Sequence, residues 1–164
     1  MPITLVRVDD RVIHGQIATR WAKYRNCDGI LVADDQIAAD PFRSKVLKAA
    51  APTGVKVGIY TLEEALEKIE KAKVAKNSYF LISNSPLNFQ KLLELGADFG
   101  TELNIGPMNT RPNTKILGKT VAIDEADYQA FDSIESNGVK VSFQLLPDDS
   151  ATPWSKLKAK YDQM

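Results

Sequence analysis

The sequence predicts an α/β fold: a three-layer domain with a mostly parallel, twisted sheet and helices on both faces. Three observations lead there. Short β-branched runs alternate along the chain with segments of helical apolar spacing. The helical segments are bracketed by capping and stop signals. The 164 residues, 44% of them apolar and 26% charged, suffice for one ordinary core. Strand–helix units repeated in this way favour parallel pairing with crossover helices. No internal repeat, low-complexity tract or linker interrupts the pattern, so the expectation is one domain over 1–164.

The elements follow in order. Ile3–Val8 is a strand that ends at a polar turn. Ile13, Ile17, Trp21 and Tyr24 then recur at steps of four, four and three, which places them on one helix face. Gly29–Ala33 is a second strand, and Asp40-Pro41 marks a helix start with proline at the first position. That helix presents Phe42, Val46 and Ala49 on one side, and Pro52-Thr53-Gly54 stops it. Residues 55–60 form a third strand. Thr61 and Glu64 make a capping box before a helix carrying Leu62, Leu66, Ile69 and Lys73. Tyr79–Ser83 is a fourth strand, and Ser85-Pro86 opens a helix that ends near Gly96. Weaker strands are expected at Glu102–Ile105 and 120–123. Asp124 and Asp127 start another helix, which Asn137-Gly138 closes. Residues 139–145 alternate as a late strand, and Thr152-Pro153 is expected to cap a final helix with Trp154, Leu157 and Tyr161. Residues 106–118 are the least regular stretch and read as an exposed loop.

Composition narrows the function. Lysine plus arginine equals aspartate plus glutamate at 21 each, so no long-range field favours a polyanion, and nucleic-acid binding is not expected. Cys27 is the sole cysteine, which excludes an internal disulfide and fits a reducing compartment. The opening MPITLVRVDD lacks the basic-then-apolar design of a secretory signal. No apolar run approaches the roughly 20 residues that span a bilayer. The expected place is the cytoplasm, without membrane insertion. One histidine and one cysteine cannot assemble the usual zinc ligand set, so neither metal nor cofactor is predicted.

The chemistry points to one loop. Asp9-Asp10-Arg11-Val12-Ile13-His14-Gly15-Gln16 lies between the first strand and the first helix, where ligands of open α/β sheets gather. A helix amino-terminus offers unpaired amides and positive partial charge, both suited to phosphate. Gly15 lets backbone approach an anion closely, the Gln16 amide follows it, and Arg11 supplies a positive fork. Neutral imidazole is nucleophilic near neutral pH, so His14 can carry a phosphoryl group covalently. An aspartate could accept from the other ring nitrogen and set the tautomer. Asp10 is the choice, with Asp9 close behind. Each residue also has a plain structural role: a helix-capping histidine, a solvated arginine–aspartate pair, aspartates that cap the helix. From the residues alone, the loop is an anion site.

The string Arg7-Val8-Asp9-Asp10-Arg11-Val12-Ile13-His14-Gly15-Gln16 resembles the signature of the enzyme IIB component of the phosphoenolpyruvate-dependent sugar phosphotransferase system, mannose/fructose/sorbose type. Ala33-Asp34-Asp35 with Asp40-Pro41-Phe42-Arg43, Asn104-Ile105-Gly106 with Met108, and Gly138-Val139 leading to Leu146-Pro147 resemble further family segments. The resemblance implies that His14 is the phosphorylated residue, at the δ1 nitrogen, and that Arg11 helps to hold the phosphate. It also implies a relay. A IIA component donates to His14, and His14 gives the group to a sugar held by membrane components IIC and IID, with which the protein associates peripherally. The stretch from Pro107 to Pro112 departs from the family pattern. There, Arg111 reads either as an added anion contact or as a loop arginine without a role. Asp34, Asp35, Asn84 and Ser85 also follow strand ends and either line the site or serve as turn and cap residues. The rival reading is a regulatory α/β module of the same fold that senses a phosphorylated partner without passing phosphate to sugar. The sequence does not set the oligomeric state or the sugar.

Overall fold

The computed structural model describes residues 2–164. Nine strands and seven helices follow along these residues. They are β1 (Ile3–Val8), α1 (Gly15–Tyr24), β2 (Gly29–Ala33), α2 (Asp35–Ala38), α3 (Pro41–Ala50), β3 (Lys56–Tyr60), α4 (Leu62–Lys73), β4 (Tyr79–Ser83) and α5 (Pro86–Glu94), then β5 (Glu102–Ile105), β6 (Lys115–Ile116), β7 (Ala122–Ile123), α6 (Glu125–Ser136), β8 (Lys140–Phe143), β9 (Thr152–Pro153) and α7 (Trp154–Asp162).

Seven strands form one sheet in the order β3-β2-β4-β1-β5-β8-β9, parallel throughout except for the antiparallel margin β9. Strand alternation divides the core between two faces. Leu5, Ile30, Val32, Phe80 and Ile82 pack against Ala18 and Trp21 of α1, Ile37 of α2 and Leu47 of α3. On the other face Leu31, Leu81, Leu103 and Val141 meet apolar residues of α4, α5, α6 and α7. The three layers match the expectation. Ile3 and Leu5 lie two apart yet join opposite clusters, because the β1–β4 register shifts between them.

The cap signals hold at most helix starts. Asp40 accepts from the Arg43 amide, with Pro41 at the first helical position. Thr61 with Glu64, and Asp124 with Asp127, form complete capping boxes.

Other expectations need correction. Phe42 and Val46 are 78% and 50% exposed and Ala49 also faces solvent, so α3 docks through Leu47 instead. A ten-residue helix lying across a sheet edge can be held by one deep side chain, and the predicted stripe points outward. Tyr24 is 63% exposed, so the inner face of α1 is Ile17, Ala18 and Trp21. Residues 120–123 do not join the main sheet. Only Ala122–Ile123 is a strand, and it forms a separate antiparallel ribbon with β6, which lies inside the stretch 106–118 read as an exposed loop. Met108 and Leu117 of that stretch are buried. Thr152-Pro153 does not cap α7: Pro153 is the cap residue, no side chain bonds there, and the pair forms β9.

Candidate functional site

The chain leaves β1 to reach β2 over one face of the sheet and leaves β5 to reach β8 over the other, so the connections diverge between these two neighbouring strands. This is the switch point at which open α/β sheets bind ligands. The loop 9–14 is pinned there from both sides. The Asp9 amide donates to the Ser83 carbonyl and the Asp10 amide to the Pro107 carbonyl, each at 3.0 Å. Within the loop, Val12 donates to the Asp9 carbonyl at 2.8 Å, and the Arg11 amide donates to Asp9 Oδ1 at 2.9 Å. Val12 is buried at φ 63°, a left-handed conformation that a β-branched residue rarely adopts. Its side chain is thereby turned into the core beneath the loop.

His14 is the N-cap residue of α1, with extended backbone angles and no side-chain cap bond. Its carbonyl accepts from Ala18, so the amides of Gly15, Gln16 and Ile17 precede the first intrahelical bond. Gly15 and Gln16 are exposed, and the His14 ring is half-buried. Arg11 Nη1 lies 3.4 Å from His14 Nε2, while Nδ1 is buried with no partner. If Nε2 faces the guanidinium as acceptor, the neutral ring carries its proton on Nδ1, where nothing receives it. A half-turn about Cβ–Cγ exchanges Nδ1 with Cδ2 and frees Nε2 from Arg11.

The carboxylate assigned to the ring is engaged elsewhere. Asp10 Oδ2 accepts from the Asn109 amide at 2.6 Å, and Oδ1 is buried without a partner. No hydrogen bond joins Asp10 to His14. The structure also leaves Asp9 without one to the ring: it is 2% exposed and braces the turn through the Arg11 amide. Burial pushes the Asp9 carboxyl up, while the Arg11 amide, then Arg7 and His14, pull it back.

Beneath the loop sits Arg7, 2% exposed. It donates to Asn104 Oδ1, to the Gln144 carbonyl at 2.9 Å and to the Leu145 carbonyl at 2.8 Å, and its guanidinium stacks 4.9 Å from the Trp21 ring. Burial lowers its pKa to about 10, against the opposing pull of Asp9. Gly106 is glycine for a steric reason: a Cβ there would collide with this guanidinium.

Two concavities flank the loop. One, of about 370 Å³, is lined by Asp10, Asn84, Ser85, Met108, Asn109 and Arg111. The larger, of about 980 Å³, runs beside α1 from Gly15 and Gln16 to Cys27 and Leu146. Asn84 and Ser85 thus border the smaller cleft, with Ser85 also capping α5. Asp34 and Asp35 serve as cap and brace: Asp34 accepts from the Ile37 amide and from Asn88 Nδ2, and Asp35 accepts from the Leu62 amide. Asn88, Asn109 and Asp127 are residues that the sequence did not single out for the site. Their only sequence signal is position near strand ends and caps. Among the described residues, no group of three or more His, Cys, Asp or Glu is placed to hold a metal, and no helix is long and apolar enough to cross a membrane.

Comparison with known proteins identifies the family. The sequence family described as "PTS system sorbose subfamily IIB component" matches residues 3–164. The sorbose-specific EIIB component of Klebsiella pneumoniae is 36% identical over 149 residues, covering 91% of this chain and 90% of that protein. The mannose-specific EIIAB component of Escherichia coli K12 is 32% identical over 163 residues, 99% of this chain but 50% of the longer protein. Among solved structures, the IIBSor domain of the Klebsiella pneumoniae sorbose permease superposes with a TM-score of 0.89 at 33% identity, covering 98% of each chain. The N-acetylgalactosamine-specific IIB component 1 of Escherichia coli does so with a TM-score of 0.84 at 30% identity, covering 92% of this chain and 97% of that one. The chain belongs to the sorbose subfamily of phosphotransferase-system IIB components.

Proposed function

We infer that the chain is a cytoplasmic phosphoryl carrier, one IIB-type domain over 1–164. It accepts phosphate on His14 from a IIA component and passes it to a sugar taken up through membrane IIC and IID components, with which it associates peripherally. The observation that carries the reading is the placement of a half-buried imidazole at the N-cap of α1, beside a free guanidinium, at the sheet's switch point.

The step is a displacement at phosphorus. In the tautomer that carries the ring proton on Nε2, the lone pair of His14 Nδ1 forms the new N–P bond as the bond to the donor histidine nitrogen breaks and its electron pair stays on that nitrogen. Attack from Nδ1 follows the half-turn of the ring, which moves that nitrogen to the position Cδ2 held. Negative charge is spread over three oxygens, and the nearby donors are Arg11 and the amides of Gly15 and Gln16. In the second transfer a sugar hydroxyl attacks phosphorus, the N–P bond breaks, and the hydroxyl proton leaves to a base. Asp10 contributes by holding the loop, since its carboxylate is bonded to Asn109.

Incubation with phosphoenolpyruvate, the general phosphotransferase proteins and a matching IIA should add one phosphate that is acid-labile and alkali-stable. His14→Ala should take no label, and a labelled His14→Ala protein refutes the assignment. Arg11→Ala should fold normally and accept phosphate about 10²–10³ times more slowly, the usual loss for one charge-stabilising donor. Onward transfer to sugar in membranes bearing IIC and IID separates a carrier from a regulatory module, which would stop at the labelled protein.

A further inference from the structure

Arg111, which the sequence leaves as a loop arginine, is committed inward. Through Nη2 it donates to the Asp127 carboxylate at 2.8 Å and to the Ala122 carbonyl at 3.1 Å. Through Nε it donates to the Asn109 carbonyl at 3.1 Å, and Nη1 lies 3.8 Å from Asp124 Oδ2. Three of its five N–H donors are therefore used inside the fold, and it cannot offer a phosphate fork while they are. Its anchor is firm. Asp127 is fully buried in the first turn of α6 and accepts from the Asp124 amide as half of a capping box.

The other end of this connection is the phosphoryl loop. Met108 is fixed by its bonds to Thr120 and Ala122. Asn109, the next residue, is gripped by Arg111 at its carbonyl and by Asp10 at its amide. Asp10 in turn donates its own amide to Pro107, so the β5 loop holds it from two directions. Directly after Asp10 come Arg11, which faces His14, and Val12, whose left-handed backbone persists only where the surroundings over-determine it.

We propose that Arg111 and Asp127 are positioning residues. They form a strut from α6 that sets the loop after β5 and, through the Asn109 amide, holds Asp10 and the turn that aims Arg11 and His14. The functional consequence rests on the carrier reading of His14; the mechanical connection does not. Neither residue touches the phosphoryl group. Their contribution is to keep Arg11 and the imidazole in register when the ring turns.

The test uses the full chain and two readouts. Arg111→Lys keeps a cation opposite Asp127 but cannot bond Asp127, Ala122 and Asn109 together, so the buried carboxylate stays compensated and the fold is retained. Amide hydrogen exchange should then accelerate about tenfold or more at Asn109, with Leu103 and Ile105 in β5 unchanged. Phosphate acquisition from phosphorylated IIA should slow about tenfold in Arg111→Lys and in Asp10→Ala. The double variant should be no slower than the slower single one, because both changes cut the same connection. Unchanged exchange at Asn109, or rate losses that simply multiply, overturns the strut. A wild-type protein that takes no phosphate from IIA overturns the carrier reading instead, and the exchange result then decides the strut alone.

Discussion

Asp9 shows how burial converts into pH dependence. Its carboxyl titrates above the ordinary 3.8 in the fold because desolvation outweighs the Arg11 amide and the Arg7 charge. In the window above 3.8 the folded state therefore binds more protons than the unfolded one, and the stability present below that window is lost as pH rises through it. Asp9→Asn removes this slope while keeping an oxygen to accept from Arg11. Denaturant titrations between about pH 3.5 and 7 should show the variant gaining on wild type as pH rises. Parallel curves would contradict the assignment. Arg7, with its pKa near 10, stays charged throughout, and Gly106→Ala should lower stability by about 1–3 kcal/mol as the guanidinium is pushed aside, measured by thermal unfolding. At this scale the sequence was only partly legible. The motif put His14, Arg11 and the first helical amides together, but Asp10 finds its partner 99 residues away, and no spacing rule reaches that far.

Helix ends were more legible than helix faces. Cap residues act within one turn, so Asp40, Thr61, Ser85 and Asp124 reveal their helices from local chemistry alone. Thr61→Ala should cost about 1 kcal/mol in urea unfolding, the usual value for a lost cap. Which side of a helix is buried depends on what it lands on. Phe42→Ser should change stability by no more than about 0.5 kcal/mol, whereas Leu47→Ala should cost about 2–5 kcal/mol. The reverse order would restore the stripe that the sequence suggested. Two-residue strands such as β6 and β9 and the single turn α2 carry too few residues for any period to register.

At the scale of the molecule, alternating strands and helices gave the three layers, because each unit buries its own apolar side against the sheet. The strand order was not readable, since it depends on which crossovers pass over neighbours. That order decides the site: had β4 been placed outside β2, Asn84 and Ser85 would not border the cleft that Asp10 and Arg111 share. Trp21 ties the layers together by packing under the loop 9–14, donating Nε1–H to the Leu145 carbonyl and receiving Arg7 on its face. Trp21→Phe should retain the fold yet loosen the 144–146 segment, visible as faster amide exchange there with little change at β2.

The antiparallel margin has a consequence for crowding. β9 is two residues long and ends in Pro153, which has no amide proton to offer a further strand. β3 closes the opposite side with an intact ladder edge. A molecule zippered to another along β3 would turn outward a margin at which β9 covers Ser142 and Phe143 and ends in proline, a poor template for adding a third copy.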